Sequence, residues 1–233
     1  MMALLLLLFV PPVYSATSPE ILRYEVTWNG NKAGHGDVTT TRDADRVNVT
    51  VQAVSDGALK AVLEIWSRVQ ASFGAKTFKP HQYTFRLRSN LLRSEVVDLN
   101  FDHDSGLVAV NKFKGDEHES HQEKFESTVD PITAAFLLRT QKDFQKPRFV
   151  DVYDGKARAR LFVSAGASEP VTVRGGAFQS IRLDLKLVKL TGDKENLGAA
   201  TIWISNDNHR VPILLTSSHV VGTVRFELVN IER

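Results

Sequence analysis

The chain has 233 residues, 42% of them hydrophobic and 24% charged, with 29 Lys and Arg against 27 Asp and Glu and a net charge of +2. That length is ample for one sizeable core. The near-neutral balance, with Arg86, Arg88, Arg93, Lys112, Lys114 and Arg148 scattered and no dense basic run, predicts no nucleic-acid partner. The absence of cysteine excludes a disulfide framework, thiol catalysis, cysteine metal ligation and a lipid-anchored cysteine.

At the N-terminus, Leu4 to Val10 is an uncharged apolar run too short to span a bilayer, and Val13-Tyr14-Ser15 places small residues at the −3 and −1 positions of a secretory cleavage site. This predicts a signal peptide over residues 1–15, although no Lys or Arg precedes the apolar run, and a single β-rich domain over 16–233 in the periplasm. The mature chain contains no predicted transmembrane span.

Beyond the leader the dominant period is two. Leu22, Tyr24, Val26 and Trp28 alternate with polar residues and form one face of a half-buried strand. Val47, Val49, Val51 and Ala53 repeat the pattern, as do Tyr83, Phe85 and Leu87. Further on, Ile181, Leu183, Leu185 and Leu187 form such a face, and so do Val224, Phe226 and Leu228. Turn clusters such as Asn29-Gly30-Asn31, Asp102-His103-Asp104-Ser105-Gly106, Asp154-Gly155 and Arg174-Gly175-Gly176 predict hairpins, hence a largely antiparallel sheet.

Two segments break the rhythm. A short helix is predicted over Asp56 to Ile65, where Ala58, Leu59, Ala61, Val62 and Ile65 fit a 3.6 period across a weakening Gly57. Asp130 to Arg139 reads as a second helix, with Asp130 at the N-cap, Pro131 at the first helical position, and Ile132, Ala135, Phe136 and Arg139 on one face. The polar stretch from Lys112 to Ser127 is a long hairpin tip or an exposed edge.

Near the C-terminus, Ile202-Trp203-Ile204 is followed by Ser205-Asn206-Asp207-Asn208-His209-Arg210-Val211-Pro212 and then Gly222. Together with Tyr24-Glu25-Val26-Thr27-Trp28-Asn29-Gly30, Ala33-Gly34, the Asp130 helix and Gly176-Ala177-Phe178, this pattern resembles the exported bacterial proteins grouped as domain of unknown function 3108. The resemblance spans nearly the whole mature chain. It implies an envelope location and a β-rich fold, and carries over no catalytic residue. His209 stands where a second basic residue or Gly is expected, which makes the charge of this turn dependent on pH.

The side chains that suggest chemistry fall short of a catalytic motif. His118 and His121 are three apart, whereas a zinc-peptidase helix needs two histidines four apart, and on a strand that spacing sends them to opposite faces. Asp102-His103-Asp104 reads as a turn and lacks the further oxygen ligands of a calcium loop. There is no Gly-x-Ser-x-Gly elbow, and Arg174-Gly175-Gly176 is no phosphate loop. Asp207 and Arg210 straddle a tight turn in which the aspartate bonds the backbone; with His209 they form the first polar place to look for a site.

The sequence therefore predicts a mainly β protein, a strongly curved antiparallel sheet or incomplete β-barrel of about ten or more strands, with one longer helix and one short one. Trp203 points away from Ile202 and Ile204, so both faces of its strand need cover. A curved sheet of this kind tends to enclose an apolar cavity, which Tyr24, Trp28, Tyr83, Phe85 and Trp203 would line. The leading function is a non-catalytic binding or envelope-maintenance protein with a lipid-like or other apolar ligand, no metal and no cofactor. The alternatives are a hydrolase drawing on Asp130, Asp154, Asp207 and His209, and an interaction module that works through strand edges.

Overall fold

The computed structural model describes residues 18–140, 148–191, 196–219 and 222–233; the predicted signal peptide lies outside them. The alternating segments form strands β1 (Glu20–Trp28), β2 (Asn31–Arg42), β3 (Arg46–Ser55), β4 (Ile65–Gly74), β5 (Pro80–Ser89), β6 (Glu95–Asp102), β7 (Leu107–Lys114) and β8 (Glu117–Lys124). They continue as β9 (Arg148–Tyr153), β10 (Arg158–Val173), β11 (Gly176–Lys189), β12 (Asn196–Ser205), β13 (Pro212–His219) and β14 (Gly222–Glu232). Helix α1 (Gly57–Val62) follows β3, and helix α2 (Pro131–Arg139) follows β8.

All fourteen strands belong to one antiparallel sheet in the order β8-β7-β6-β5-β4-β3-β2-β1-β14-β13-β12-β11-β10-β9. From β1 the chain steps outward to the β8 edge, crosses to the β9 edge through α2, and steps back to β14 beside β1. Among the described residues the sheet is not closed by a ladder, but its curvature brings the edges close. Just past β8, Val129 forms a parallel bridge with Val152 of β9. Glu123 of β8 accepts hydrogen bonds from the Tyr153 hydroxyl and, at 2.9 Å, from Arg158.

Register assigns the faces. Val26 lies opposite Phe226 and Gly34, and Val51 opposite Val38 and Val69, so these residues share the concave side. Helix α2 sits within that concavity. Asp130 accepts from the amides of Ile132 (2.9 Å) and Thr133 (3.0 Å), and its other oxygen accepts from the Thr133 hydroxyl. Both residues are completely buried, so the cap satisfies donors that water cannot reach. Leu138 then packs among Val163, Leu183 and Ile204, while Phe136 meets Phe73 with ring centroids 5.3 Å apart. The helix thereby ties the β9–β12 wall to the β3–β4 wall.

Two hairpins complete the core. The β9–β10 turn is wedged against β6: a Cβ on Gly155, whose φ is +83°, would lie 2.4 Å from Val97, so only glycine meets both the backbone and the space requirement. The long β10–β11 hairpin folds its tip onto the convex side. There Arg174 pairs with Glu25 at 2.7 Å, the Gly175 amide donates to Leu228, and Val171, Val173 and Phe178 share a cluster with Trp203 and Leu214. This is the cover that the outward-pointing Trp203 requires.

Helix α1 is shorter than its periodicity predicts. Leu63 is already extended, and the Ile65 amide bonds the Ser55 hydroxyl, which draws the chain into β4.

Candidate functional site

The concave face carries two apolar hollows at successive levels. The inner one, about 310 Å³, lies beneath Ile132, Ala135 and Phe136 of α2. One wall is Leu22, Tyr24, Val38, Val49 and Val51 from β1–β3; the other is Leu161, Leu183, Leu185, Ile202 and Ile204 from β10–β12, with Leu215 from β13. The outer hollow, about 430 Å³, is lined by Val26, Trp28, Ala53, Val224 and Phe226, with Leu59 and Leu63 of the α1 segment along its margin. Leu215 of the inner level lies directly across from Phe226 of the outer, and Val51 is two residues from Ala53 on the same face. The two levels therefore follow one another along a single trough. Each is of a size that accepts a small molecule, within the usual range of roughly 300–1,000 Å³.

The inner end is bordered by polar contacts. Arg139, in the last turn of α2, donates to Glu20 at 2.9 Å and to the carbonyl of His209 at 3.1 Å, and its guanidinium lies 5.0 Å from the centre of the Phe136 ring. Arg233 reaches the same Glu20 carboxylate at 3.3 Å. Tyr24 donates its hydroxyl proton to the carbonyl of Pro212 at 2.9 Å. Burial pushes the Tyr24 pKa well above the usual phenol range, so Tyr24 stays a neutral donor and presents its ring to the cavity.

The predicted site residues divide by location. Tyr24 lines the inner hollow and Trp28 the outer. Tyr83 and Phe85 are on the concave side but packed with Val97, Leu99 and Tyr153, where the β9–β10 turn occupies the concavity; Lys156 of that turn sits 4.8 Å over the Phe85 ring. Trp203 is on the convex side, donating to Glu169 from beneath the hairpin tip. The wall contributed by Leu161, Leu183, Leu185, Ile202 and Ile204 was not among the predicted lining. Its signal was the period-two apolar run of β11, which marks a buried face without saying whether that face meets a solid neighbour or a space.

The polar candidates serve local structure. Asp207 Oδ1 accepts from the Ser205 hydroxyl (2.7 Å) and from the amides of His209 (2.8 Å) and Arg210 (3.1 Å). Partial burial pushes its carboxyl up, but these hydrogen bonds outweigh that and hold its pKa below the ordinary range. Arg210, at φ +49°, donates to Asn206 at 3.0 Å. Asp154 caps the amides of Lys156 and Ala157, both at 2.9 Å, and Asp130 caps α2. The four hydrolase candidates thus belong to three separate turns or caps. His118 stacks on Phe113 with centroids 4.2 Å apart, whereas His121 pairs across with Val110, on the other face of the edge strand. Among the described residues, no group of three or more His, Asp or Glu side chains is arranged to hold a metal.

With the curved sheet, its enclosed helix and the Asp207 turn in place, sequence comparison gives a direct answer. A family model described as Protein of unknown function (DUF3108) matches residues 23–229. The chain belongs to this family. No curated protein matches it. Among solved structures, the DUF3108 chain is similar to a β-barrel-like protein of domain of unknown function DUF1849 from Brucella abortus. That match has a TM-score of 0.61 at 12% identity and covers 92% of this chain and 97% of that one; it shows a shared fold. A Bacteroides fragilis protein described as exported, with a YmcC-like fold, aligns at TM-score 0.40 and 11% identity over 92% of this chain and 95% of that one.

Proposed function

We propose that this DUF3108 protein is an exported, non-catalytic envelope protein that holds one elongated apolar ligand, a lipid acyl chain or a molecule of similar shape, in the concave trough. The observation that carries this reading is the succession of two apolar hollows along one concave face, walled by side chains of β1–β4, β10–β14, α1 and α2. A solid core would have filled that volume, because protein interiors pack at crystal-like density. A flexible chain fits the shape, being narrow enough to pass beneath α2 and long enough to use both levels. Export is supported by the apolar run Leu4 to Val10 followed by Val13-Tyr14-Ser15.

Delipidated protein should bind cis-parinaric acid saturably, with energy transfer from tryptophan to the bound probe. Val51→Phe projects a ring into the inner hollow and should weaken the probe about tenfold while costing about 1–3 kcal/mol from overpacking. Absence of saturable binding by folded, delipidated protein would refute the reading.

A further inference from the structure

The inner hollow ends in a change of chemistry. On β1 and β2 the concave row runs from the paired Leu22 and Val38 to the next pair on that face, Glu20 and Thr40, and then to Arg42. Leu22 and Val38 wall the apolar hollow, whereas Glu20, Thr40 and Arg42 line a second space of about 280 Å³ together with Asn208 and His209. Phe136 and Arg139 of α2 border both spaces. Apolar wall and polar wall therefore meet within one step of the strand period, on two paired strands at once.

Two side chains at this boundary carry donors without an acceptor. The Thr40 hydroxyl oxygen is buried and makes no hydrogen bond to the described residues. Arg139 has a side chain only 15% exposed, and its hydrogen bonds to described residues, to Glu20 at 2.9 and 3.4 Å and to the His209 carbonyl at 3.1 Å, all leave from Nη2. Nε and Nη1 are left over. A buried donor that bonds nothing is costly, so its complement is an acceptor brought in by a ligand. The neighbouring protein acceptors are already committed. Glu20 is held by Arg139 and, at 3.3 Å, by Arg233. Asp43, Asp45 and Asp207 are outside the lining, and Asp43 and Asp207 bond the amides of their own turns. Thr140 takes the last carbonyls of α2, bonding Phe136 through its amide at 3.2 Å and Leu137 through its hydroxyl at 2.8 Å.

We propose that the trough takes a long-chain carboxylate, its tail in the inner hollow and its carboxylate at Thr40 and Arg139. A carboxylate accepts and never donates, and its bonds to a guanidinium and a hydroxyl are charge-assisted, which makes it the acyl-chain head group that answers both sets of donors. This head-group site rests on the ligand reading above and adds to it the polar end of the ligand.

The test titrates delipidated wild type and Thr40→Val with cis-parinaric acid and with its methyl ester, at about pH 8, where a carboxylic acid is ionised. Although the ester is the more apolar probe, wild type should bind the acid about tenfold tighter, the worth of a charge-assisted hydrogen bond. Thr40→Val removes only the hydroxyl. It should lose most of that preference, with ester binding unchanged and a thermal melt that does not fall, because the hydroxyl has no protein partner to lose. An acid bound no tighter than the ester, or a Thr40→Val protein that keeps the wild-type preference, would overturn the head-group site, while saturable ester binding would leave the apolar trough standing. If neither probe binds saturably, both readings fall.

Discussion

Helices α1 and α2 border the same concave face, and each follows an aspartate at its N-cap, yet the two caps are used differently. Asp130 gives both oxygens to α2 and is completely buried. Asp56 makes no side-chain bond to α1; one of its oxygens faces Lys32 and His35 at 3.3 and 3.1 Å, and the other is buried without a partner. Helix α2 buries Thr133, Ala134 and Leu138, whereas no residue of α1 is more than half-buried. The contrast shows how one sheet can carry a fixed floor and a loosely held rim. Where the cap and the packing agree, the helix is part of the core; where the cap bonds elsewhere and no side chain is buried, local stability is low.

The largest effect should come from breaking the floor. Leu138→Ala removes a side chain packed among Val163, Leu183 and Ile204, and should cost about 2–5 kcal/mol by urea denaturation. The equivalent change on the rim, Leu59→Ala, should cost less than about 1 kcal/mol, because its side chain is only half-buried. Comparable losses at the two positions would show that the rim is as firmly packed as the floor. Native-state hydrogen exchange sharpens the point: the α1 amides should exchange through local opening, while those in α2 exchange only with global unfolding.

The parts of this contrast differed in how legible they were in the sequence. The strands were readable because a half-buried strand must alternate, as Leu22, Tyr24, Val26 and Trp28 do. Helix α2 was readable because Asp130-Pro131 sets both the cap and the first φ. The way β8 and β9 approach each other was not, since contacts such as Glu123 with Tyr153 join strands separated by α2 and the segment after it. The same limit explains the site. Tyr24 and Trp28 border space whereas Tyr83 and Phe85 do not, and what separates them is the insertion of the Gly155 turn against Val97 and Leu99. Nothing local to Asp154-Gly155 says where that turn goes. Trp203 was readable as needing cover from its alternation with Ile202 and Ile204, but the strands that supply the cover are distant in sequence.

The smallest effect lies at the polar end of the floor, where the Asp207 turn positions the His209 carbonyl that receives Arg139. All three hydrogen bonds to Asp207 end on Oδ1, and an asparagine oxygen can accept the same three. Asp207→Asn should therefore cost no more than about 1 kcal/mol at pH 7, which is the surplus of a charged acceptor over a neutral one. Its pH dependence follows from the lowered folded-state pKa. The charged form stabilises the fold above the unfolded carboxylate range, and that contribution is lost as pH falls through the folded value. The gap between wild type and Asp207→Asn in urea midpoint should thus be present at pH 7 and shrink as pH falls below the ordinary carboxylate range. A gap that persists at low pH would mean the amide has disturbed the geometry of the turn, in which case the cost comes from the shape of the substituted side chain and not from the lost charge.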